Sequence, residues 1–137
     1  MVLHPPAGFV PGTAPSSNDN SVVLKVTDGQ VSMLLCGDLE EQGVPWAMGW
    51  HQALRATVLK VPHHGSRLGP QERPFFELVH PELSVVSVGR LHHLPTPEVL
   101  ADLQATGSQV LLTRDAGAVT IRTDGTRYQV TTFLHDD

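Results

Sequence analysis

Two adjacent imidazoles and a glycine follow an apolar run in Leu59-Lys60-Val61-Pro62-His63-His64-Gly65-Ser66. Thr57 to Val61 has the β-branched, largely apolar character of a buried parallel strand, and Pro62, with no N–H for a ladder, ends it. In open α/β sheets, ligands gather where the carboxyl ends of strands meet loops. A neutral imidazole nitrogen can ligate metal near neutral pH, and glycine lets backbone approach an anion closely. The stretch therefore reads as a metal or phosphate site. The same types also suit an ordinary loop, with one ring bonded to a carbonyl and the other in water.

A carboxylate occupies the comparable place one strand earlier. Val31 to Glu40 (VSMLLCGDLE) is strand-like, and Asp38 stands just past its end after Gly37, with Leu39-Glu40-Glu41 opening a helical stretch. Asp38 can ligate metal or cap that helix. A right-handed βαβ unit would set its carboxyl end beside that of the His-His strand.

The elements positioning these ends follow from the rest of the chain. After a short apolar start, residues 5–20 form a proline- and glycine-rich loop. Residues 21–27 and 30–36 form strands about Asp28-Gly29, and residues 40–56 are helical with interruptions at Gly43 and Pro45. Trp46, Trp50 and Leu54 recur at helical spacing and are expected to pack on the sheet. Residues 71–79 form a helix and 83–88 a third parallel strand. Thr96, Pro97, Glu98 and Gly107 punctuate a helix over 97–106. A strand at 110–113 and a hairpin of 118–123 with 127–133 about Asp124-Gly125 follow, the hairpin serving as a sheet edge with one wet face. Residues 134–137 form a frayed tail.

The 137 residues, 40% of them hydrophobic, suffice for one domain with a core. The chain lacks a run long and apolar enough to span a bilayer and reads as soluble. A formal net charge of −5 argues against a broad nucleic-acid grip, so any DNA contact is local. Lys60, Arg67 and Arg73 lie near the His-His motif and Arg90 ends a strand; ordinary solvated charge is the favoured reading of all four. Cys36, alone of its type, reads as a small buried hydrophobe. Of the other histidines, His4 reads as the end of a strand, His51 and His80 as helix or helix-end residues, and His135 as part of the tail. His92 and His93 follow a strand end at the same edge and are open to either role.

Five blocks occur in order: Asn18-Asp19-Asn20-Ser21-Val22-Val23-Leu24, Leu34-Leu35-Cys36-Gly37-Asp38, Leu59 through Ser66, Val88-Gly89-Arg90, and Pro95-Thr96-Pro97-Glu98-Val99-Leu100. Together they resemble the C-terminal domain of the ComEC family of DNA-uptake competence proteins, over Val2 to Gly125. The resemblance implies a metallo-β-lactamase-like fold. Such hydrolases usually begin their metal site with an HxHxDH-type motif, often HxDxDH in ComEC-like members, and no such string occurs here. The implied fold is α/β, the C-terminal half of an αβ/βα sandwich, with a mixed sheet, flanking helices and a C-terminal β-hairpin. Many relatives carry a longer NRYGHPHP-like loop where this chain has residues 91–97, so His92 and His93 are displaced.

By that resemblance Asp38 bridges two cations, zinc or manganese. His63 or His64 ligates metal or protonates a leaving oxygen, while Ser66 with Gly65 holds a phosphate oxygen. The implied substrate is single-stranded DNA, and the setting is the extracytoplasmic part of an inner or plasma membrane protein whose channel is the partner. Without first-half ligands the chain alone is expected to be inactive. The alternative is a noncatalytic half-domain that docks on the channel or forms a homo-oligomer through its uncovered sheet face.

Overall fold

The computed structural model describes residues 1–14, 17–90 and 93–134. Six strands form one mixed sheet in sequential order: β1 (Val2–His4), β2 (Val23–Asp28), β3 (Val31–Leu35), β4 (Val58–Lys60), β5 (Leu83–Val86) and β6 (Gln109–Leu112). The first three run antiparallel, with β2 and β3 joined at Gly29, whose φ of 56° suits the hairpin turn expected of Asp-Gly. From β3 to β6 every pairing is parallel, in a register that aligns Leu34, Leu59, Ser84 and Val110. Parallel neighbours share an edge for their carboxyl ends. Asp38, the His63-His64 pair, Ser87 to Arg90 and Thr113 thus all follow strands at one edge.

The sheet's two faces differ. On one, Leu34, Cys36, Leu59, Val61, Val86 and Val88 join a core completed by α2 (Glu72–Val79) through Phe75, Phe76 and Val79, and by α3 (Pro97–Ala105) through Val99 and Leu103. Thr96 caps α3 as its sequence suggests, its hydroxyl accepting the Val99 N–H. On the other face, Met33, Leu35, Val58, Lys60 and Val85 line a groove with Val119 and Ile121. Those two belong to β7 (Val119–Thr123), which pairs with β8 (Tyr128–Thr132) in a separate two-stranded sheet. The C-terminal hairpin is therefore laid against the main sheet and is no edge of it. Its alternation of half-buried and exposed residues is as expected.

The stretch read as an interrupted helix over 40–56 is shorter and more broken. Turns carry the chain to α1 (Val44–Met48), and a 3-10 turn follows over His51–Leu54. Leu54 is buried, but Trp46 and Trp50 are each nearly half exposed, so they do not pack under the sheet. The helix breaks at Gly49, and Trp50 instead donates its indole N–H to the Leu3 carbonyl. A further short helix, α4 (Thr113–Ala116), takes the residue expected to end the sixth strand. No helix among the described residues is long and apolar enough to cross a membrane.

Candidate metal and phosphodiester site

Pro62 to Gly65 close into a 3-10 turn at the end of β4, and both histidines take left-handed backbone angles, φ 44° at His63 and φ 56° at His64. This conformation costs a non-glycine residue about 1–2 kcal/mol. Two consecutive instances concentrate strain at this one turn. Its anchors are visible: the His63 N–H donates to the Gly37 carbonyl at 3.1 Å, and the Ser66 N–H to the His63 carbonyl at 2.9 Å. Gly65, at φ 81°, is packed against Pro95, whose Cβ lies 2.3 Å from where an alanine methyl would stand. The missing side chain thus makes room for Pro95.

The two rings diverge. His64 Nδ1 lies 2.6 Å from the Ser87 carbonyl oxygen. A carbonyl can only accept, so Nδ1 carries the proton and Nε2 presents a lone pair when the ring is neutral. That Nε2 is 3.5 Å from Asp38 Oδ1. Two ligands of one tetrahedral zinc, each about 2.0–2.2 Å from it, stand about 3.4 Å apart. The pair therefore has the spacing and chemistry of adjacent metal ligands. His63 turns the other way, its Nδ1 3.1 Å from Glu40 Oε1.

Asp38 is set by its turn. Gly37, at φ 55°, offers its carbonyl to both the His63 N–H and the Lys60 ammonium, the latter at 2.9 Å, and the Asp38 N–H donates to Ser21 Oγ at 3.2 Å. Lys60 Nζ also stands 3.9 Å from Asp38 Oδ1. Burial pulls the lysine below its usual pKa, while Asp38 and Cys36 pull it back up. Cys36 is buried, and its thiol is pushed up to about 12 by desolvation against the opposing field of Lys60. It is no nucleophile at neutral pH.

A cleft of about 390 Å³ opens beside His64, walled by Ser87, Val88, Gly89, Leu94 and Thr113. Ser66 lines a different cleft, of about 480 Å³, with Glu40, His63 and Arg67. Arg67 is engaged by the buried Glu72 and by Glu98, and Arg73 by Glu77. Of the three basic residues flanking the motif, Lys60 has its ion pair with the site carboxylate. His4 ends β1, buried, with Nε2 on the Asp19 carbonyl. His80 ends α2 in a left-handed cap, and His93 is exposed. Leu91, His92 and, of the tail expected over 134–137, residues 135–137 with His135 lie outside the described residues.

Asp38, His63 and His64 are thus brought to one edge, as the strand order required. Among the described residues no three His, Cys, Asp or Glu side chains converge to hold a metal ion. Asp38 and His64 fit a divalent cation as two donors of an incomplete shell. Sequence reasoning missed Glu40 as the partner of His63. Its signal was a second acid two residues past Asp38, placed beside the turn only because the chain does not continue into a helix there. Nothing in the sequence pointed to the Ser87 carbonyl.

No family model matches the chain, and no solved structure matches it. Among curated proteins it is 37% identical over 110 residues to ComE operon protein 3 of Bacillus subtilis (strain 168), covering 78% of this chain and 14% of that protein. It is 33% identical over 113 residues to the uncharacterized protein YcaI of Escherichia coli (strain K12), covering 80% and 15%. With competence protein ComA of Neisseria gonorrhoeae the identity is 33% over 105 residues, covering 74% and 15%. The chain thus spans about one seventh of the length of these relatives. Two of the three names support a competence-related family for this stretch.

Proposed function

We propose that this chain, akin to a segment of competence proteins, supplies the late half of a metal-dependent phosphodiesterase site that acts on DNA during uptake. The observation carrying this reading is the approach of His64 Nε2 to Asp38 Oδ1 at 3.5 Å, with the other ring nitrogen committed to a backbone carbonyl. Asp38 and His64 would hold a zinc or manganese ion, which when bound polarises a phosphodiester and makes water a better nucleophile. The Ser87 carbonyl keeps the His64 proton on Nδ1 and so keeps Nε2 free to bind. Lys60 offsets the charge on Asp38 and, through the Gly37 carbonyl, fixes its turn. Val88 and Leu94 give the adjoining cleft an apolar wall against which a sugar or base can lie. Single-stranded DNA is the substrate, and the remaining ligands come from elsewhere in a membrane-associated uptake protein.

A second reading is favoured by one observation. Val22, just before β2, and Val26, within it, are about half exposed, and the groove under β7 is largely apolar. A noncatalytic module would use that surface to dock on the channel or on a second copy. The two readings separate in a fusion that places this chain behind the stretch preceding the matched segment in ComE operon protein 3. Metal-dependent cleavage of single-stranded DNA, mostly lost in Asp38→Asn, is expected. A folded fusion that cleaves no DNA with zinc or manganese contradicts the hydrolase and leaves the docking module.

A further inference from the structure

The block Asn18-Asp19-Asn20-Ser21 has no chemistry in the site as described, yet it grips the loop bearing both acids at three points. Ser21 Oγ accepts the Asp38 N–H, and Asp19 Oδ1 accepts the N–H groups of Gln42 and Gly43, each at 2.8 Å. Between them, Asn18 Nδ2 donates to Glu40 Oε1 at 3.0 Å. This is the same oxygen that stands 3.1 Å from His63 Nδ1. One carboxylate oxygen therefore faces an amide donor on one side and an imidazole nitrogen on the other.

At 3.1 Å a lone pair on Nδ1 would face the lone pairs of the carboxylate oxygen, which favours the ring proton on His63 Nδ1 over Nε2. The amide, having no choice but to donate through Nδ2, holds that oxygen toward the ring. Asn18 itself is held in a 3-10 turn (Asn18–Asn20) capped by Ser17, with the Ser21 N–H on its carbonyl. We infer that Asn18 and Glu40 are positioning residues: an Asn18–Glu40–His63 relay fixes His63 as its Nδ1–H tautomer and leaves Nε2 as a lone pair directed away from Glu40. Outer carboxylates that hold a histidine's far nitrogen in this way set the tautomer and basicity of metal ligands. The relay thereby gives the strained turn two Nε2 lone pairs, one set by a backbone carbonyl at His64 and one by a side-chain carboxylate at His63. Its use as a ligand support rests on the hydrolase reading; the tautomer itself does not.

The test is a long-range nitrogen–proton NMR correlation of the histidine rings in the 137-residue chain at about pH 8, where free imidazole is neutral. In the wild type His63 is expected in the Nδ1–H form. Glu40→Ala should move it toward the Nε2–H form, Asn18→Ala should do so partly, and Glu40→Gln, which keeps an accepting oxygen, should restore it. His64, set by Ser87, serves as the internal control and should hold its pattern throughout, which also reports that the variants fold. An Nε2–H tautomer at His63 in the wild type, or no change in Glu40→Ala, overturns the relay. Zinc added to the same samples separates the two claims. A His63 tautomer that follows Glu40 while no zinc binds keeps the relay and sinks the metal reading.

Discussion

At the scale of single residues, Asp38 and the two histidines were legible as a group, because side chains just past neighbouring parallel strands must share an edge. The division of labour between His63 and His64 was not. It depends on left-handed backbone angles and on partners 23 residues away in the chain, neither of which a sequence pattern carries. His4 shows the converse, a histidine whose use is structural. Burial holds its ring below the usual histidine pKa, against the pull of the Asp19 carbonyl and charge. The unfolded chain therefore takes up the proton first. Its contribution to stability is complete above about pH 6.5 and is lost as pH falls from there through the lower folded value. A urea midpoint that drops between about pH 7.5 and pH 5.5 is expected, with a shallower drop in His4→Gln, which can still donate to Asp19 without titrating. Identical drops in the two proteins would assign the acid sensitivity to another group.

At the scale of elements, the strands and α3 follow from local signals: alternation, Asp-Gly turns, and a Thr-Pro-Glu helix start. The 40–56 stretch went otherwise because its geometry is set at long range. Asp19 reaches across to hold the N–H groups of Gln42 and Gly43, and Glu40, which the sequence placed in a helix, is left in a turn beside His63. Once Gly49 ends α1, the spacing of Trp46, Trp50 and Leu54 no longer describes one helical face. The HHG turn offers a sharp check on how elements hold the site. Gly65→Ala sets a methyl against Pro95 at a φ that strains any L side chain, so a loss of about 1–3 kcal/mol in unfolding free energy is expected. A neutral effect in urea denaturation would mean that Pro95 and α3 do not brace the turn.

At the scale of the whole molecule, strand order does the positioning. Parallel β3 to β6 bring four strand ends to one edge, and the hairpin of β7 and β8 occupies only part of the opposite face. The α/β class with a mixed sheet and flanking helices was legible from the order of elements. The independence of the hairpin was not, since alternation is the same whether a hairpin extends a sheet or lies across it. The central claim is that Asp38 and His64 are two ligands of an incomplete cation site. Zinc titration of the 137-residue chain by calorimetry, beside Asp38→Ala and His64→Ala, tests it most directly. Weak binding by the wild type and a loss of at least about tenfold in each variant are expected. Equal zinc affinity in all three proteins would contradict it.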